Sequence, residues 1–430
     1  MNPARFWFVV LALLLIPASV AFAGGFQLNE VGARAMGLGG AFAAKANDLS
    51  AMFYNPAGIA NQVGFGAYLG GTMILPKSTY TSVGGVSSDM VSQTFVTPNA
   101  YFGYGWNSGL AVGIGVFAPF GLGTEWPAGW SGRYFAAKAD IQAVMVNPTI
   151  AYRVNEWLML GAGFSWMRST VKLSYNVATY SVIAVPPTPA PTDGVVSLSA
   201  NGNAFSFDAG AIVKPLPEMS IGLSYRHSSK TDLEGNASFT NMQALQPYFP
   251  GGAGTTTIKF PNQIFAGLAY DVSDKLTLEF DFQWIAWSTY DSLNLQLPTG
   301  PIAPFPPQLG GPRALQTSSR SEKAWEDTYM LRLGGEYRYD EWSFRLGFIY
   351  DATPQPNKYV EPVLPDANRT EGTLGVGYKF ASHWTVDAAY QLILFKDRTV
   401  TGPSTGDLNR FPGSYKNSAN LFGLSLGYAM

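Results

Sequence analysis

Apolar and polar residues alternate with a period of two along most of this chain. In "DKLTLEFDFQWIAW", residues 274–287, Leu276, Leu278, Phe280, Phe282 and Trp284 share one face, while Lys275, Thr277, Glu279, Asp281 and Gln283 share the other. Successive side chains of an extended backbone point to opposite sides, so the pattern predicts a strand with one apolar and one polar face. It returns in "EWSFRLGFIY" with Trp342, Phe344, Leu346, Phe348 and Tyr350, and again at Phe422, Leu424, Leu426, Tyr428 and Met430. Read this way, the chain predicts fourteen strands, near 62–76, 96–106, 108–117, 141–153, 156–172, 203–214, 218–229, 258–271, 274–288, 327–339, 341–351, 370–380, 382–396 and 416–429.

The connections narrow the fold. Tight turns at Trp106-Asn107-Ser108, Val154-Asn155, Pro215-Leu216-Pro217, Val272-Ser273, Asp340 and Ala381 alternate strictly with seven long loops. A secreted all-β protein has no reason to alternate in this way, although it remains the competing reading. An outer-membrane barrel does, with short periplasmic turns, long external loops and an even strand number. The prediction is an all-β fold, a 14-stranded antiparallel transmembrane β-barrel, closed because hydrocarbon tolerates no unpaired strand edge. Tyr337, Tyr339, Trp342 and Trp384, close to the short turns, fit a periplasmic aromatic girdle. Residues 24–61 do not alternate and are rich in Gly and Ala, which suits an N-terminal hatch, or plug, packed in the lumen. The "GLGG" within it lacks the spacing of a phosphate-binding loop.

The first 23 residues, MNPARFWFVVLALLLIPASVAFA, place Arg5 before an apolar stretch and end in Ala-Phe-Ala. That is the layout of a signal peptide cleaved after Ala23, though the stretch could also serve as an uncleaved anchor. The expected organisation is therefore 1–23 signal peptide, 24–61 hatch and 62–430 barrel. Charged residues make up 13% of the chain, about half the ~25% of soluble domains. There is no cysteine, and the net charge of -2 with scattered Lys and Arg argues against a nucleic-acid partner. His227 and His383 fall in separate strands, giving a catalytic triad or a His-based metal site little to draw on. No enzyme activity, cofactor or metal is expected.

Several blocks carry a resemblance: "GGFQLNE" at 24–30, "FYNPAGIA" at 53–60, "NPTIAYRVNEWLMLGAGFSW" at 147–166, "DKLTLEFDFQWIAWSTYDSL" at 274–293 and "LPDANRTEGTLGVGYKF" at 364–380. Together, and in this order, they resemble the FadL family, the long-chain fatty acid transporters of Gram-negative outer membranes, with relatives that admit aromatic hydrocarbons. The resemblance implies a fourteen-stranded barrel with an N-terminal hatch. It makes Asn55, Pro56 and Ala57 a hatch element beside a lateral opening where the third strand kinks inward; a shift of the hatch near Phe26 and Asn55 is the expected gating step. The kinked strand is "SGLAVGIGVFAPFG", in which Gly109, Gly113, Gly115 and Pro119 suit a bend; the same glycines could merely relieve crowding against the hatch.

Function is expected to run on partitioning: loops capture a fatty acid or similar hydrophobic molecule, the lumen binds it, and it leaves sideways into outer-membrane lipid. Loop residues Val182, Ile183, Val185, Leu245, Tyr248 and Phe249 are unexpectedly apolar and are candidates for capture, or for a lid packed on itself. Arg332, Arg338 and Arg345 lie on the polar face and are candidates for a carboxylate head group, or for ion pairs with the available acids Glu336, Glu279 and Asp281. Fatty-acid members of the family carry a Lys where this chain has Glu326, with Lys323 three residues earlier. That departure favours a neutral substrate such as an aromatic hydrocarbon. The terminal Met430 also departs from the aromatic end usual in such barrels. The protein is expected to act as a monomer. The readings from other classes are an outer-membrane scaffold or adhesin, and a hydrophilic porin, whose channel residues 24–61 would block.

Overall fold

The computed structural model describes residues 24–177, 180–181, 188–189, 192–298, 318–401 and 411–430. Residues 1–23 and the loop residues Val182, Ile183 and Val185 lie outside them, as do the side chains of Leu245 and Tyr248. Among the described residues a ring of fourteen strands is formed. These are β1 (Gly64–Ser82), β2 (Phe95–Gly105), β3 (Leu110–Glu125), β4 (Lys138–Arg153), β5 (Leu158–Val177) and β6 (Gly194–Leu216). Four follow in two pieces each: β7 (Met219–Arg226, Ser229–Thr240), β8 (Gly252–Phe260, Gln263–Asp271), β9 (Leu276–Ile285, Ser292–Gln296) and β10 (Ser318–Glu322, Thr328–Tyr339). The ring ends with β11 (Trp342–Asp351), β12 (Arg369–Phe380), β13 (Trp384–Phe395) and β14 (Gly413–Ala429).

Each strand pairs antiparallel with the next, and β14 returns to β1 from Gly66↔Ala429 to Ser82↔Gly413, which closes the barrel. The faces follow the alternation. In β9, Thr277, Glu279, Asp281 and Gln283 are buried inside, while Leu278 and Phe282 are exposed on the outside. Leu333, Phe344, Leu346, Leu374 and Leu424 are likewise exposed, an arrangement stable only where the surroundings are lipid. Phe344, Trp342, Tyr378, Phe380, Trp384, Tyr428 and Phe65 form a chain of ring contacts beside the short turns. At two of those turns Asp340, Ala381 and Ser382 take the left-handed backbone conformation, with φ of 51°, 47° and 51°.

Several strands run further outward than the alternation predicts: β1 continues to Ser82 and β6 begins at Gly194. Beyond the bilayer the outer face turns polar, and in β6 the inward Val196, Leu198 and Ala200 are the apolar, buried residues, so the apolar-out pattern is lost while the ladder continues.

Residues 24–62 lie inside the ring. They contain two short helices, α1 (Ala33–Gly37) and α2 (Ala51–Tyr54), and a 3₁₀ turn, Pro56–Asn61. Helix α1 packs on β11 to β14, and the 3₁₀ turn packs across the lumen on β3 to β6. Small wall residues make this approach possible: a Cβ on Gly161 would sit 2.4 Å from the Ala57 amide nitrogen.

Candidate binding cavity and lateral opening

The ladder is interrupted between β2 and β3. Strands β2 and β3 pair regularly from Gly105↔Ala111 to Ala100↔Val116 and then part. Just beyond, β3 shifts register against β4 between Phe117 and Phe120, so Ala118 and Pro119 form a bulge. A bulge bends its strand, and proline supplies no ladder donor. The ladder with β4 resumes from Phe120↔Ala143 to Glu125↔Lys138, whereas Phe95–Asn99 of β2 pair only with β1. Contact across the gap returns where the Val91 amide donates to the Glu125 carbonyl at 2.8 Å. The result is a bounded window between residues 92–99 and 117–124.

The free edge of β3 is not bare. The Leu28 amide donates to the Pro119 carbonyl at 2.9 Å, and the Gly121 amide donates to the Phe26 carbonyl at 3.0 Å. Residues 26–28 thus take the place that β2 vacates. The Phe26 side chain is held by five rings, with centroid distances of 4.8 Å to Trp287, 5.5 Å to Tyr290, 5.7 Å to Trp325 and 6.1 Å to both Phe120 and Phe260. Trp287, Tyr290 and Trp325 reach inward because β9 and β10 leave the ladder between their two pieces. Gly25 is wedged beneath them with φ of +65°, and a Cβ there would meet the Trp325 ring at 2.6 Å.

Beside Phe26 lies a cavity of about 640 Å³, within the usual size range of small-molecule sites. Its wall includes Phe26 and Leu28 from the N-terminal segment, Phe95 from β2, and Ile393 and Phe395 from β13. It also includes Val96 and Val144, which are 66% and 45% exposed on the lipid side. The cavity therefore passes from the lumen through the window to the outer surface. Four acids border it, Glu30, Asp140, Asp366 and Glu371, against two cations, Lys77 and Arg369. Arg369 is already engaged: its guanidinium donates to Asp366 at 2.9 Å and to the Gly25 carbonyl, and lies 3.5 Å from Asp351.

The rest of the N-terminal segment is fastened to the wall. Asp281 accepts the Phe42 and Ala43 amides at 2.8 and 2.9 Å, and Glu279 accepts the Ala44 amide at 2.7 Å. Arg226 donates to the carbonyls of Met52 and Phe53, where α2 exposes acceptors. The Asn55 amide donates to the carbonyls of Ala43 and Ala211 at 2.8 and 3.1 Å, while its oxygen accepts the Ala57 amide at 3.2 Å.

Residues 14–430 match the model of the outer membrane protein transport family described as OMPP1/FadL/TodX. The chain belongs to this family. It is 25% identical to the long-chain fatty acid transport protein of Salmonella typhi, with 96% of each chain covered. Among solved structures it resembles a Pseudomonas aeruginosa FadL homologue at 22% identity, with a TM-score of 0.80 and 94% of this chain and 100% of that one covered. It also resembles the Ralstonia pickettii toluene transporter TbuX at 18% identity, with a TM-score of 0.69 and 94% and 100% covered. This FadL-family chain is accordingly a multi-pass outer-membrane barrel of a group that transports hydrophobic substrates.

The residues singled out from the sequence fall in several places. Phe26 lines the cavity and borders the window, and Pro119 sits in the bulge. Asn55, Pro56 and Ala57 do not line it; they dock on β5 and β6, where a Cβ on Gly210 would lie 2.1 Å from Asn55 Oδ1. Gly109 lies in the turn before β3, while Gly113 faces Met52 and Gly115 faces Tyr101 in the regularly paired half. None of the three arginines lines the cavity. Arg345 pairs with Glu336 and Asp387 at 2.7 Å each, and Arg338 lies near the periplasmic turns beside Glu336 and Asp271. Arg332 donates to Gln283 at 2.5 Å and lies over the Phe265 ring, its Nε and Nη1 having no hydrogen-bond partner among the described residues. Phe249 packs on Phe239, with ring centroids 5.3 Å apart.

Arg369, Phe95, Gly121 and Gly123 line the cavity without having been anticipated. The available signal was "FGLGTE" directly after Pro119: two glycines two residues apart, in register to face one side of a bent strand.

Proposed function

We propose that this FadL-family barrel takes up small uncharged hydrophobic molecules, binds them beside Phe26 and releases them sideways into the bilayer through the β2–β3 window. The observation that carries the reading is the cavity's continuity from the luminal residues around Phe26 to lipid-facing Val96 and Val144. Each buried CH₂ gains about 0.8 kcal/mol on leaving water. Apolar cavity and lipid tails are similar environments, so a lateral step keeps that gain while a return to water forfeits it.

Charge around the cavity supports an uncharged ligand. A carboxylate head would meet Arg369, already shared between Asp366 and Asp351, with Glu30 and Glu371 close by, while the other cation, Lys77, is exposed on the outward face of β1 with Leu69 and Met73. Arg332, Arg338 and Arg345 stay proposed head-group sites only for a ligand that travels deeper into the lumen. Capture by the outer loops, with Val182, Ile183, Val185, Leu245, Tyr248 and Phe249 as contacts, precedes entry. Displacement of residues 26–28 from the β3 edge, with Asn55-Pro56-Ala57 as the fixed end of the hatch, opens the way to the window.

The test is uptake of labelled toluene and labelled oleate by cells lacking their own fatty-acid transporter and expressing this chain. Toluene entry, with little oleate entry, is expected. Oleate entry that drops in Arg332→Ala or Arg345→Ala would instead make the ligand a fatty acid. Entry of neither through a correctly assembled barrel would refute transport and favour a scaffold.

A further inference from the structure

The window is filled from two sides. A Cβ on Gly121 would lie 2.8 Å from Leu28 Cδ1, and a Cβ on Gly123 would lie only 1.9 Å from Phe95 Cζ. Both glycines therefore serve as bare seats for apolar side chains. Leu28 belongs to the N-terminal segment and leaves with it. Phe95 does not: it is the first residue of β2, paired with Ile74 of β1, and its backbone is part of the wall. Its ring spans the gap from β2 to the naked backbone of β3, at the level where no ladder joins the two strands.

We propose that Phe95 is the size filter of the lateral exit, its ring resting on Gly123 and setting the cross-section of molecules that pass. The inference rests on the channel reading and adds a specificity-determining residue to it. After residues 26–28 have moved, the aperture is bounded by the β3 backbone on one side and by this half-buried ring on the other. Gly123 matters because any side chain there would lift the ring from its seat.

The experiment compares uptake of toluene with that of a bulkier uncharged arene, pyrene, in the wild type, Phe95→Ala, Phe95→Trp and a control, Phe102→Ala, whose ring faces lipid on the same strand. Heat-modifiable electrophoretic mobility checks that each barrel is folded. The pyrene-to-toluene ratio is expected to rise several-fold in Phe95→Ala, to fall in Phe95→Trp and to hold in Phe102→Ala. Folded variants that transport toluene with an unchanged ratio would overturn the filter and leave the channel standing. A folded wild type that passes neither arene would overturn the channel reading, and the filter with it.

Discussion

Asp281→Ala probes what holds the N-terminal segment in place. One carboxylate oxygen accepts both the Phe42 and Ala43 amides, at 2.8 and 2.9 Å, and the side chain is fully buried. Truncation strands two buried amides at about 1–3 kcal/mol each. Relief of the carboxylate's own desolvation offsets part of this, leaving a net loss of about 2–3 kcal/mol in local docking. At about 1.4 kcal/mol per factor of ten, amide exchange should accelerate roughly 30- to 150-fold at residues 42–43. Hydrogen–deuterium exchange read by mass spectrometry on the purified barrel resolves such a change. Asp281→Asn keeps an oxygen acceptor and should give a smaller effect. The ladders from β9 to β8 and β10 remain, so wall amides should be unaffected. Unchanged exchange at 42–43, or an equal rise throughout the barrel, would refute the assignment of Asp281 as a local fastening.

Three other outcomes are expected. Asn55→Ala removes three hydrogen bonds, each worth about 0.5–1.5 kcal/mol; exchange at residues 55–60 should quicken and toluene should leak faster, and neither change would mean that the wall holds this turn without Asn55. Phe26→Ala empties the ring cluster around Trp287 and Trp325, costing about 3–5 kcal/mol of local packing; indole fluorescence of the two tryptophans, read in variants lacking the other tryptophans, should shift as the site admits water. On the outer surface, partial burial works to raise the Asp193 pKa, but hydrogen bonds from Arg133, Tyr134 and Asn176 outweigh it and hold the carboxyl below its ordinary value. A depressed folded pKa gives stability present above the unfolded value of about 3.9 and lost as pH falls through the folded one. Protection factors in residues 130–136, with the intrinsic pH dependence of exchange divided out, should therefore be flat near neutrality and fall in acid, and Asp193→Asn should abolish the acid step.

The barrel was legible because lipid outside and a polar lumen inside impose opposite demands on adjacent residues. Leu278 and Asp281 show the two demands within one strand. Short turns also carried local signals, as at Asp340. The opening was only half legible. Pro119 marked the bend, but it looked like the end of a strand when in fact β3 continues to Glu125. The glycines at the window, Gly121 and Gly123, lay just past the place where alternation stopped. Charge pairing was half legible: Glu336, an available acid in the sequence, does pair with Arg345, but Arg345 also meets Asp387 and Arg34 meets Glu336, across 42 and 302 residues of sequence. Alternation can place an arginine on the inner face, but it cannot say which acid, brought there by barrel closure, already occupies it.

The pairing of residues 26–28 with β3 bears on biogenesis. A barrel inserted without these residues would present a bent, unpaired edge at the mouth of a hole in its own wall, the kind of edge that recruits foreign strands. Residues 26–28 thus complete the sheet at β3 while β14 closes it at β1, around a lumen that the N-terminal segment fills. Wall and N-terminal segment in this sense share one hydrogen-bonded sheet, so the edge strand β3 is covered only while the two stay together.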